Sequence, residues 1–372
     1  RTEILTNLAA NGIYVGGLPD VAENAAAMAE VIETAFSYQN SFEYAEMLAK
    51  MRVGVTNGTN IADSVGTGIT YQLVSQAVEK ALEAPEDFVW SYIAVMFYNN
   101  QEQHSLYLTA DYSDDKRILA VVENFEKQFE KQLGKDITKE ERLGIKKLVM
   151  QTYLRALALD KCADYGLEAL KEFDNFFIRE NTMYALLKTG RYDECLKLAN
   201  GVQDDTNPVP LYYAAAATLE SGEFDASAEY VLELAKQVKT SEYPKKADEL
   251  LHSYFSLLVV DTETTKAKYS LLSDEQINKL NSDEFLKNYL AAYVNACYPS
   301  YGGHSIYDDA YTQAMETALT AADWVIAERG ELCYPYYLKG VTLMQQKKYD
   351  EAVAAYKKAI DYKSDDPMIW YA

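Results

Sequence analysis

The stretch that decides the fold runs from Tyr334 to Asp366, YPYYLKGVTLMQQKKYDEAVAAYKKAIDYKSDD. Its apolar residues fall at helical spacing in two blocks: Leu338, Val341 and Met344 in the first, then Tyr349, Ala352, Val353, Tyr356, Ala359 and Ile360 in the second. Pro335 suits the first turn of the leading helix, where its missing N–H leaves no helical hydrogen bond unmade. The spacing predicts two short helices joined by a tight turn. Gly340 and Ala352 are expected to face each other where the helices come closest, because a larger side chain at either place would hold them apart.

Gly340, Tyr349, Ala352, Tyr356 and Ala359 stand at the spacing of a tetratricopeptide repeat, and the segment resembles that helix–turn–helix unit of about 34 residues over 333–366. Lys339 stands where a Leu is usual, and Ser364 near the place of the usual closing Pro. A weaker likeness covers 177–236. There Gly190, Tyr192, Asp193 and Glu194 resemble the turn, Cys195 replaces the small Ala, and Met183 occupies the Gly position, so a splayed or shifted hairpin is expected. The next unit has Ala215, Gly222, Phe224 and Ser227 in the corresponding places. Tyr192 to Phe224 is 32 residues and Phe224 to Tyr349 is 125, room for three irregular units between. One hairpin cannot bury its own apolar faces, so such units stack, and Pro367, Ile369 and Trp370 read as the start of a further one. The resemblance implies an all-α chain of stacked helical hairpins, a repeat-type α-solenoid with irregular N-terminal helices.

Outside those units the chain still alternates helix and turn. Helical patterns run over 19–36, 42–51, 69–83 and 86–99, with turns at Asn11-Gly12 and Gly16-Gly17. Ser113 can cap a helix at 114–133, and Thr138 with Glu141 has the capping-box spacing for one reaching Leu157, followed by a short helix at 163–173. These two long helices show no likeness to the repeat and read as degenerate units or a spacer. Further helices are expected at 245–260, 274–297 (capped by Ser273 and Gln276) and 307–328, with a loop at 298–305. The expected divisions are 1–110, an unassigned helical segment; 111–305, hairpins including the degenerate units; and 306–372, the C-terminal units.

The chain has 372 residues, 49% of them hydrophobic, and a formal charge of −22 from 35 basic and 57 acidic side chains. A core of good size is within reach, while such a charge repels phosphate backbones and anionic membranes, which argues against nucleic acid as a partner. Only 17 Gly and 8 Pro interrupt it, which favours helices over tight-turned strands. No apolar run reaches the roughly 18 residues of a membrane span. Cys162, Cys195, Cys297 and Cys333 form no CxxC pair, so neither zinc nor thioredoxin-like chemistry is indicated, and their scatter fits a reducing, cytoplasmic compartment. The first residue is Arg1, which leaves open an upstream element and an extracytoplasmic, membrane-anchored setting.

Histidine chemistry has only His104, His252 and His304 to draw on, none in a metal or triad motif. SVGTGITY at 64–71 lacks the Lys-Ser/Thr of a phosphate loop, and the acidic clusters at Asp111, Asp114 and Asp115 or Asp204 and Asp205 lack calcium-loop spacing. No catalytic residue, cofactor or metal is expected. The 31 Tyr residues are the compositional excess, offering rigid contact area with a polar tip, although several sit at packing positions. In proteins built of this repeat the first helices line a concave groove. Carried over, that places Phe177, Tyr184, Tyr212, Leu219, Tyr334, Tyr337, Val341 and Met344 on its inner face, without the Lys and Asn that grip a terminal carboxylate. The reading is a non-enzymatic scaffold binding a peptide or partner helix in a Tyr-rich groove. A glycan-active enzyme or glycan-binding protein with a toroidal helical fold, and a structural spacer of a larger assembly, are the alternatives.

Overall fold

The computed structural model describes residues 78–86, 90, 91, 94, 95, 98, 99, 116–133, 138–202, 206–241, 244–259, 268–298 and 309–362. Among them every regular element is helical. The helices expected at 19–36 and 42–51, the two early turns, the Ser113 cap, the side chain of Glu141, the loop residues 299–305 and the helix start at Pro367 lie outside the described residues. Packing divides the chain between Ala185 and Leu186. Both expected boundaries, at 110/111 and 305/306, also fall outside the described residues.

In the first unit α1 (Arg117–Leu133) turns Ile118, Val121, Val122 and Phe125 inward, as its spacing predicts. It packs on α2 (Lys139–Arg155), which packs in turn on α3 (Leu159–Ala169). Glu126 on α1 accepts hydrogen bonds from Lys146 and, at 2.9 Å, from the Tyr165 hydroxyl. Residues 78–83 are helical, as are the described positions between 90 and 99, and Asn99 Nδ2 donates to Thr152 Oγ1 at 2.7 Å. The short helix expected at 163–173 begins four residues earlier, because Leu157 takes a left-handed conformation and ends α2 sooner. Helix α4 (Phe176–Lys188) follows and crosses the division between the units.

The second unit contains α5 (Tyr192–Asn200), α6 (Pro208–Glu220), α7 (Phe224–Thr240), α8 (Lys245–Val259), a 3-10 turn at Lys268–Leu271, α9 (Asp274–Leu280), α10 (Glu284–Cys297), α11 (Asp309–Glu328), α12 (Cys333–Gln345) and α13 (Tyr349–Tyr362). The single helix expected at 274–297 is two. Asp283 accepts from the Leu286 amide at 2.9 Å and caps a new start, while Ser273 and Gln276 form the expected capping box at the old one. The pairs α6/α7, α10/α11 and α12/α13 are hairpins, and the first helices α6, α8, α10 and α12 pack on one another in succession.

Four hairpin turns among the described residues share one geometry. Leu157, Gly190, Gly222 and Lys347 have φ of 54°, 74°, 85° and 63°. The next residue of each donates its amide to a carbonyl five positions back: Ala158 to Tyr153 at 2.9 Å, Arg191 to Leu186 at 2.9 Å, Glu223 to Thr218 at 2.8 Å, Lys348 to Leu343 at 2.9 Å. This is the long bond of a Schellman motif. Five residues past each left-handed position comes a small, buried side chain: Cys162, Cys195, Ser227 and Ala352. The hairpin α2/α3 thus has the repeat's turn and register. Its sequence shows no likeness to the repeat, yet its turn geometry is that of the α12/α13 hairpin.

Candidate interaction face

The first helices of the second unit come close because their contacting side chains are small. Asn207 caps α6 through the Val209 amide at 3.0 Å and Pro208 sets its first turn, after which Ala214, Ala215, Ala216 and Ala217 are all buried. Ser227, in the small position of α7, donates to the Ala215 carbonyl at 2.7 Å and bonds the Tyr254 hydroxyl of α8 at 2.8 Å. One hydroxyl therefore joins three helices, and burial pushes Tyr254 up to about 12.

A buried carboxylate fixes α12. Asp248 on α8 is 0% exposed, and its Oδ2 accepts the Cys333 and Tyr334 amides at 2.9 and 3.2 Å, while Tyr289 of α10 donates its hydroxyl to Oδ1. Leu332, at the N-cap of α12, has no side chain able to do this. Asp248 supplies the missing acceptor from another helix and sets a negative charge at the positive end of the α12 dipole. Arg329, just after α11, works in the opposite sense: its guanidinium donates to the Lys239 carbonyl and, at 3.0 Å, to that of Ser241, at the C-terminal end of α7. Sequence reasoning missed both. The available signal was an acidic residue on the apolar face of α8, between Ala247 and Leu251.

Above this clamp lies an aromatic cluster. The His252 ring stacks on Tyr334 with centroids 4.1 Å apart and meets the rings of Tyr293 and Tyr337 edge-on at 4.9 and 6.1 Å. Tyr337 lies 6.0 Å from Tyr356. Burial pushes Tyr356 up to about 12 and Tyr293 higher still, so these hydroxyls stay neutral across the physiological range. Gly340 also finds a different neighbour from the one expected. A Cβ there would lie 2.5 Å from Tyr356 Cε1, so the Tyr356 ring, rather than Ala352, makes the closest approach.

The residues expected on the groove face fall in different settings. Phe177 and Tyr184 belong to α4 in the first unit, with Phe177 half-buried under the Lys147 ammonium at 5.8 Å and Tyr184 exposed. In the second unit Leu219 is 2% and Tyr334 7% exposed, so both are packed inside. Tyr212 is half-buried against Tyr213, Tyr337 and Val341 are half-buried against the cluster of Leu343, Ala352, Ala355 and Tyr356, and Met344 is exposed. Of the expected residues in the second unit, Tyr212, Tyr337, Val341 and Met344 are therefore the ones left partly open.

Of the other candidates, His104 and His304 lie outside the described residues, and His252 is a ring in the aromatic cluster. All four cysteines are free thiols, and burial pushes Cys162 and Cys195 up to about 12, which makes them poor nucleophiles at neutral pH. Among the described residues no group of three or more His, Cys, Asp or Glu is placed to hold a metal ion, and no helix is long and apolar enough to cross a membrane.

Residues 340–372 match the family model described as TPR repeat. No curated protein matches the chain. Among solved structures, the chain is similar to one in the "Crystal structure of APC/C hetero-tetramer Cut9-Hcn1", with 10% identity, 96% of this chain and 76% of that one covered, and a TM-score of 0.26. It is also similar to one in the "Structure of Naa15/Naa10 bound to HypK-THB", with 13% identity, 98% and 64% covered, and a TM-score of 0.26. This chain spans just under two thirds of the latter. At that score the superposition is loose, and the likeness to the repeat rests on the match at 340–372.

Proposed function

We propose that this chain, a protein built with tetratricopeptide repeats, is a non-enzymatic interaction scaffold that takes an extended peptide or a partner helix along the first helices of its second unit. One observation carries the reading: the helices α6, α8, α10 and α12 pack in succession, and Tyr212 on α6 with Tyr337, Val341 and Met344 on α12 stay partly open to solvent. Charged side chains such as Lys246 on α8 and Lys287 on α10 are exposed on the helices between. Partly open aromatic and apolar side chains lose little on desolvation and suit a peptide with apolar anchors. Asp248 and Arg329 hold this packing rigid, which lowers the entropy cost of binding.

Tyr337 also packs against Tyr356, so its truncation would weaken the fold as well as the face. The sharper test pairs Tyr212→Ala with Met344→Ala. Proteins captured by the wild-type chain from lysate, quantified by mass spectrometry, should fall at least about tenfold with the double variant, in keeping with a central contact of about 2 kcal/mol. The melting temperature should stay close to that of the wild type. Undiminished capture would exclude this face.

A further inference from the structure

We draw no further inference here: the strongest candidate, the partly open apolar stripe of Tyr349, Val353 and Ile360 along the last helix, α13, carries nothing because nothing in the structure shows what covers it.

Discussion

In α12/α13 the helices come closest where Gly340 meets the ring of Tyr356, and in α2/α3 the same register holds Met150 and Gly166. Positions 150 and 340 precede their turn residues, Leu157 and Lys347, by seven, and positions 166 and 356 follow them by nine. A Cβ at 340 would stand 2.5 Å from Tyr356 Cε1; one at 166 would stand 2.6 Å from Met150 Cε and 2.0 Å from Thr182 Oγ1. One hairpin has the large side chain on its second helix, the other on its first. Volume is preserved across the pair and not at either position, which is what close packing demands and what a position-by-position comparison misses.

The most forceful way to break this comparison is to transplant it. Tyr356→Gly alone should destabilise by about 4–5 kcal/mol, from a cavity plus a helical glycine, and Gly340→Met alone by about 3 kcal/mol, from overpacking. Carrying both should cost at least about 1 kcal/mol less than their sum in a double-mutant cycle of urea midpoints; strict additivity would show that the two hairpins are not equivalent. Single methyl groups make a smaller test. Gly166→Ala should cost about 2–3 kcal/mol, because Thr182 Oγ1 is held by the Ile178 carbonyl at 2.6 Å, whereas Gly340→Ala should cost about 1–2 kcal/mol, since the Tyr356 ring can tilt. The reverse order in thermal melts would mean that the last hairpin is the stiffer.

Alkali gives a test common to both hairpins. Burial pushes Tyr153 in α2 and Tyr356 in α13 up to about 12, from a value near 10 when unfolded. Between pH 10 and 12 the folded chain holds protons that the unfolded chain has released, so this contribution is complete below pH 10 and fades as pH rises toward 12. Exposed tyrosines ionise first, and ellipticity at 222 nm should fall over that window as the last, buried part of the tyrosinate absorbance at 295 nm appears; complete ionisation with helix intact would contradict it. The smallest effect has the opposite sign. Leu157 and Lys347 hold left-handed conformations that strain a side chain, so Leu157→Gly and Lys347→Gly should each raise stability by about 0.5–1 kcal/mol, and a lowered midpoint for either would place the turn strain elsewhere.

The last hairpin was legible because Gly340, Ala352, Tyr356 and Ala359 keep the usual division of large and small residues. The α2/α3 hairpin was not, because Met150 and Gly166 reverse it and Leu157 stands where a glycine would announce the turn. The break in 274–297 was written in Asn281, Ser282 and Asp283, yet apolar spacing on both sides made it look continuous. For the candidate face, spacing could not say how near the next helix would come. Four consecutive alanines in α6 permit that approach, and Tyr334 is covered by the ring of His252.

The clamp made by Asp248 and Arg329 changes how the second unit should come apart. Stacked hairpins that touch only their neighbours lose structure from the ends inward, one unit at a time. Here a carboxylate reaches residues 85 and 86 positions onward, and a guanidinium reaches carbonyls 88 and 90 positions back. Such long-range links close large loops, so they form late and slow the assembly of the unit. Once formed, they couple hairpins that do not adjoin in sequence. Amides from α7 through α12 should then exchange with deuterium at one common opening free energy, and the unit would act as a single mechanical piece instead of a spring.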